Sequence, residues 1–407
     1  MKLLNIFLLL LNFTYAQSKI ELGIDVLEKN VPEFLKGKRI GLITNPTGVN
    51  SKLKSTIDIL FNLPDIKLVA LFGPEHGVRG DIPAGQKIDS YIDSKTKLPV
   101  YSLYGSTKKP TKEMLKDIDV LIYDIQDIGV RSYTYISTMG LAMEAAAENG
   151  IKFVVLDRPN PLSGNKFEGS IVRKDFISFI GQFPIPYIYG LTCGELAKMI
   201  NEEGWLSHGL KCDLTVIKMN GWKRDMIWED TGLQWVLTSP HIPHYYSPHF
   251  YAATGILGEL GVISEGVGYT LPFQLLGADW IDENKIAEKL NALNLSGVIF
   301  RPISWKPFYG NFQNQTLHGV QVHITDPKNI NLTSIQFYFL QELKKLYPEK
   351  NVFNMANQNR IAMFDKALGW DKIRKEFEKD FSYESIKKYW EFEANAFKIK
   401  ASKYFLY

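Results

Sequence analysis

Cysteine is nearly absent from this 407-residue chain: only Cys193 and Cys212 occur. Two thiols cannot make a disulfide framework for a protein of this size, and a single bridge or two buried free thiols are both compatible with the spacing. No C-x-x-C or H-E-x-x-H pattern is present, so a structural zinc site has no sequence support. Charge of one sign is also lacking. The formal net charge is +3 with acids and bases interspersed, which argues against nucleic acid as a partner, because a phosphate-binding face shows as a basic run or patch. A G-x-G-x-x-G turn or a P-loop lysine is missing after the first predicted strand, where "TNPTGVN" stands, so a Rossmann-like pattern implies no dinucleotide and no cofactor is expected. The apolar run in "MKLLNIFLLLLNFTYAQ" is roughly ten residues, too short to span a bilayer. With a lysine before it and small residues ahead of Gln17, it reads as a secretory signal over residues 1–16, cleaved after Ala16. A periplasmic or secreted protein without stable membrane insertion is the expectation.

What is present is a chain too long for one hydrophobic core, and two domains are expected: 17–245, then 246–407. From Arg39 to Met219 short β-branched runs ("RIGLIT", "IKLVALF", "IDVLIYDI", "IKFVVLD", "LTVIKM") alternate with segments of helical spacing. Continuous apolar strands between helices predict a parallel sheet covered on both faces, hence a Rossmann-like α/β domain. Beyond about Gly255 the mixture of helices and strands predicts a smaller α+β auxiliary domain ending in a charged helical tail. Aromatics are 13% of the chain, which suits sugar-stacking surfaces and a large core alike.

Polar residues gather where the strands end. Asn45 follows the first strand, Glu75 and His76 the second, Asp124, Gln126 and Asp127 the run "VLIY", and Asp157, Arg158 and Asn160 the run "KFVVL". In open parallel sheets the ligand crevice lies beyond those ends, so four distant segments are expected to converge. In "LFGPEHGVRGD" a glycine-flanked turn sets Glu75 beside His76 and Arg79. A shielded carboxyl there suits a general acid, whereas a structural Glu75 would cap the turn or pair with Arg79. "DIQDIGVRSYTY" offers Asp124 or Asp127 for charge stabilisation, Arg131 for an anion, and Tyr133 and Tyr135 for a sugar wall; it reads equally as a capped helix start. "SPHIPHYYSPH" brings His241, His244 and His249 together, but its three prolines make a regular helix improbable. Glu265 in "SEGVGYTLPF" is a further acid or a helix-entry residue.

The motifs "FGPEHGVRGD", "SLYG", "DIQDIGVRSYTY", "DRPNPLSG", "GLTCGELA", "TSPHIP" and "SEGVGYTLPFQLLGA", in this order, resemble the NamZ type of exo-β-N-acetylmuramidase from about Gly37 to the C-terminus. The resemblance implies an exported glycoside hydrolase acting on peptidoglycan-derived saccharides and releasing N-acetylmuramic acid from non-reducing ends. It implies Glu75 as the leading catalytic carboxyl, with His76, Asp124, Gln126, Arg131, Tyr133 and Asp157 lining the cleft. His241 is a departure, standing where the family's usual "SPNIP" has asparagine. Muramic acid carries a lactyl carboxylate, for which a fixed guanidinium is the best partner, Arg131 first and Arg79 second. Competing readings are a metal-assisted hydrolase using His76, Asp81 or the histidine cluster, and a wall-binding module without catalysis.

Overall fold

The computed structural model describes residues 20–75, 77–79 and 90–407. Residues 1–16, read above as a signal, together with His76 and Asp81, therefore lie outside the described residues. Nine strands precede residue 220 among them: β1 (Arg39–Thr44), β2 (Lys67–Gly73), β3 (Tyr91–Ile92), β4 (Pro99–Ser102), β5 (Val120–Asp124), β6 (Lys152–Leu156), β7 (Phe167–Glu168), β8 (Ile188–Tyr189) and β9 (Leu214–Ile217). Seven form one sheet in the order β3-β4-β2-β1-β5-β6-β9, parallel except for the β3–β4 pair. The chain winds outward from β1 in one direction and then, from β5, in the other. The switch point lies between β1 and β5, where Thr44 sits in register with Asp124. That is the Rossmann-like arrangement, and the place where such sheets bind ligands.

The apolar runs account for this geometry. Strand β5 is buried along its whole length, as a central strand covered on both faces requires. Helices Tyr135–Glu148 and Cys193–Glu202 cover one side of the sheet with Met139, Met143, Leu196 and Ile200, while Leu27, Leu60 and Trp228 belong to a second cluster with Ile40, Leu42 and Ile122. Thr192 caps the second of those helices through the N–H of Glu195, whose carboxylate accepts the N–H of Thr192 in return.

The second half contains an antiparallel sheet, β10 (Leu275–Ala278), β11 (Val298–Trp305) and β12 (Leu317–Ile324), with β12 in the centre. Helix Glu283–Ala292 packs on it, helix Ile335–Leu346 packs against that helix, and a run of helices from Gln358 to Ala401 follows. The stretch from Ser239 to Tyr246 is not helical, as its prolines imply, and a helix begins only at Ser247 and runs to Gly258. Pro248 stands at its first turn, where the missing N–H costs nothing and the fixed φ favours helix.

One buried cluster runs through both halves, from Ile43 to Tyr404. The end of the chain returns to the first domain: the Tyr407 hydroxyl donates to Asp157 (2.8 Å) and accepts from the N–H of Met219 (2.9 Å), and the N–H of Leu406 donates to Glu195 (2.8 Å). Cys193 and Cys212 are buried free thiols. Among the described residues no helix is long and apolar enough to cross a membrane.

Candidate active site

Glu75 sits two residues past β2, half-buried, and accepts a hydrogen bond from Thr134 Oγ1 at 3.3 Å. Thr134 immediately precedes the helix Tyr135–Glu148. The hydroxyl of Tyr104, beyond the end of β4, also faces this carboxyl; burial, and after it the Glu75 charge, pushes the phenol up to about 12. The Glu75 charge acts on Tyr135 as well. The groups set against Glu75 in the described residues are thus hydroxyls from two segments, the one after β4 and the one after β5. Asn45, at the end of β1, accepts from Thr47 with its oxygen, while its buried Nδ2 has no partner.

Tyr133 and Tyr135 fasten the opposite wall. The Tyr133 hydroxyl donates to Thr238 Oγ1 (2.7 Å) and the Tyr135 hydroxyl to the Thr238 carbonyl (2.5 Å), which fixes the "TSPHIP" segment beside the strand ends. Three residues further, His241 Nε2 shares a hydrogen bond with the Tyr309 hydroxyl at 2.8 Å.

The other strand-end residues converge as anticipated, but mostly on each other. Asp124 is fully buried and receives Arg158 Nε (2.5 Å) and Nη2 (2.9 Å) together with the Thr56 hydroxyl. Arg158 Nη2 also donates to the carbonyl of Val49. Asp157 accepts the N–H groups of Arg158 and Gly194 and the hydroxyls of Thr192 and Tyr407, so it anchors a helix start and the chain end. Burial pushes its pKa up to about 6 despite those bonds. Asn160 donates to the Leu191 carbonyl and accepts from Leu162. Its side chain lies so near Gly129 (φ +78°) that a Cβ there would fall 2.4 Å from it, which is why that loop needs glycine.

Asp127 is the exception. Its Oδ1 accepts from Gly129 N–H and the Tyr189 hydroxyl, its Oδ2 is buried without a partner, and burial pushes the carboxyl up to about 7. It lines a small enclosed space with Asn160, Tyr189, Leu191 and Cys193. Gln126 donates to the carbonyls of Asp127 and Pro159 and leaves Oε1 buried and unpartnered.

The arginines require a correction. Arg131, the first candidate for holding the lactyl carboxylate, is fully buried and donates to the carbonyls of Ser170, Ile185 and Ala367. It ties the two halves together and does not open into the cleft. Arg79 is the more exposed guanidinium, held by Asp93 through Nε (3.0 Å) and Nη2 (3.1 Å). Burial would raise the Asp93 pKa, but the bonds from Arg79 and Thr96 outweigh it and hold the carboxyl down to about 2.

Two further expectations also fall elsewhere. Glu265 packs against Gly258, with Glu259 and Arg360 as charged neighbours, and burial pushes it up to about 7. His249 is buried in its helix, its pKa lowered to about 4 by burial, while His241 turns to Tyr309. Among the described residues no group of three or more His, Cys, Asp or Glu is gathered as a metal site. Sequence reasoning passed over Thr134, Tyr104, Thr238 and Tyr309. Tyr104 was accessible in principle, since "SLYG" closes a strand and the strand-end rule applies to it.

Comparison with known proteins decides the family. The family model for the N-terminal part of the exo-β-N-acetylmuramidase NamZ matches residues 40–246, and that for its C-terminal part matches 249–407. The chain belongs to the NamZ family of exo-β-N-acetylmuramidases, which are glycosidases. It is 49% identical over 396 residues to the peptidoglycan β-N-acetylmuramidase NamZ of Bacillus subtilis (strain 168), covering 97% of this chain and 93% of that one. A DUF1343 family protein of Bacteroides fragilis NCTC 9343, known from its crystal structure, superposes with a TM-score of 0.91 at 56% identity over 96% of this chain and 99% of the other. A second DUF1343 protein from the same organism gives a TM-score of 0.75 at 31% identity, again over 96% and 99%. All three relatives extend over both halves of the chain, so the strand-end crevice and the β11–β12 lobe belong to one shared architecture.

Proposed function

We propose that this protein hydrolyses the glycosidic bond of N-acetylmuramic acid at the non-reducing ends of peptidoglycan fragments, with Glu75 donating the proton to the leaving oxygen. The observation that carries this reading is the position of Glu75: a half-buried carboxyl at the C-terminal edge of a parallel sheet, braced by Thr134 and facing Tyr104. The B. subtilis relative, a peptidoglycan β-N-acetylmuramidase by name, supports the substrate class.

Cleavage needs a proton for the leaving group and stabilisation of an oxocarbenium-like transition state. Asp124 is engaged by Arg158 and Thr56, so we assign the second role to the substrate. The carbonyl oxygen of its 2-acetamido group attacks the anomeric carbon as the bond to the leaving oxygen breaks and Glu75 gives up its proton. Water then opens the cyclic intermediate and returns a proton to Glu75. Arg79, on the same loop and exposed beyond its Asp93 anchor, takes the lactyl carboxylate. We place the reaction in the periplasm or outside the cell, on the strength of the signal-like residues 1–16.

The mature protein incubated with a chromogenic β-N-acetylmuramide and with its N-acetylglucosamine counterpart should release chromophore from the first alone. NMR of the freshly released sugar should show the β-anomer. Release from neither substrate would leave a wall-binding module, and activity lost to EDTA and restored by a divalent ion would favour the metal-assisted reading.

A further inference from the structure

The connection between β11 and β12, residues 306–316, carries two large apolar side chains into solvent: Phe308 is 63% exposed and Tyr309 is 49% exposed. Here the two rings are adjacent, and a contiguous exposed apolar patch marks a contact surface where a lone exposed ring does not. The loop is built and braced. Phe308 N–H donates to the Gly268 carbonyl at 2.7 Å, and Asn314 N–H donates to the Pro307 carbonyl at 3.0 Å. Gly268, at φ +93°, approaches so closely that a Cβ would fall 2.2 Å from the Tyr309 carbonyl oxygen. Below lies a small core of its own, Leu275, Trp305 and Leu317, with Tyr269 and Phe312 packed against it.

The rings form two stacked pairs on this base. Tyr269 and Phe308 lie 5.5 Å apart at 26°, and His241 and Tyr309 lie 6.0 Å apart at 20°. The second pair bridges the two halves of the molecule. His241 is three residues from Thr238, which Tyr133 and Tyr135 hold beside the strand ends, so the aromatic rim is linked through Thr238 and Tyr135 to the Glu75 side of the molecule.

We propose that Phe308, Tyr309 and His241 form the subsite for the leaving-side sugar, an N-acetylglucosamine-type pyranose of the glycan fragment. This rests on the exo-acting reading above: if one terminal sugar occupies the cleft, the rest of the chain must lie on the leaving side and pass over its rim. The C–H face of an equatorially substituted pyranose packs on an aromatic face, and the Tyr309 hydroxyl and His241 supply polar partners at its edge. The rim thereby makes the second lobe a reader of what the muramic acid is attached to.

The test uses the full mature protein and the disaccharide of N-acetylmuramic acid linked to N-acetylglucosamine, with Phe308→Ala, Tyr309→Ala and Tyr309→Phe. Each alanine variant should raise KM about tenfold, with the loss in KM and not in kcat. Tyr309→Phe, which keeps the ring, should retain most of the affinity. Saturation-transfer NMR with methyl N-acetylglucosaminide should show contact in wild type that fades in Phe308→Ala. Unchanged KM and unchanged transfer in folded alanine variants would overturn the subsite. So would sedimentation showing that the rim joins two copies while saccharide contact is unaffected. If wild type releases no sugar from the disaccharide, the activity reading fails, and the NMR arm then decides the subsite alone.

Discussion

Arg158 grips Asp124 at two points, Nε to Oδ1 at 2.5 Å and Nη2 to Oδ2 at 2.9 Å, at the switch point of the sheet, with both side chains almost wholly buried. A pair so placed is expensive to break from one side. Removing one partner strands a buried charge at a cost of about 3–5 kcal/mol. Asp124→Asn and Arg158→Met should each lower the unfolding free energy from denaturant titration by that order, and the double variant should lose less than the sum of the two. A folded Asp124→Asn protein of wild-type stability but without activity would instead restore Asp124 to the chemistry.

Glu75→Gln should leave the melting temperature unchanged and lower kcat by roughly 10²- to 10⁴-fold, the usual worth of a positioned general acid. Tyr104→Phe keeps the ring and removes the hydroxyl that faces Glu75. A hydrogen bond to a charged group is worth roughly 1.5–3 kcal/mol, so kcat/KM should fall at least about tenfold with an altered pH profile. Wild-type turnover in Glu75→Gln would end the proton-donor assignment.

Arg79 and Arg131 should separate cleanly. Arg79→Met is expected to lose most of the preference for the muramide over its N-acetylglucosamine counterpart, because the charge that meets the lactyl group is gone. Arg131→Met should destabilise by about 3 kcal/mol, since three buried carbonyls lose their donor, while the ratio of the two substrates stays as it was. Kinetics on both substrates, alongside chemical denaturation, reads the difference.

Stability should depend on pH through Asp127 and Asp157. Burial holds them at about 7 and about 6 when folded, against ordinary values near 4. Below about pH 4 both states are protonated and neither group contributes a slope. As pH rises toward the folded pKa values, the folded chain keeps protons that the unfolded chain releases, so the unfolding free energy falls, and it levels off above about pH 7. Asp127→Asn removes its share of the slope. Relative to wild type, the variant should gain melting temperature between about pH 5 and pH 8, and a difference independent of pH would contradict the raised value.

The seven-stranded sheet was legible because its central strands are apolar on both faces: "RIGLIT" is β1 residue for residue. The short strands β3 and β4 at one end of the sheet were not, since two to four residues carry no periodicity. At the site, strand ends told which residues would meet, and Glu75 stands there. They could not tell how the arginines would be shared. Arg131 and Arg158 look alike in sequence, and only packing shows that one binds three carbonyls and the other a carboxylate. Tyr309 was invisible for a different reason, because its link to His241 spans 68 positions.

The return of Tyr407 to Asp157 and Met219 has a consequence for how the molecule is made. The ledge beside the first domain's last parallel strands is completed by residues from the far side of the second half, so the first domain's packing draws on chain made well after its own. An affinity handle fused behind Tyr407 would begin inside that seam, and a truncation of three residues would unfasten the earlier-made half of the molecule before touching the later one.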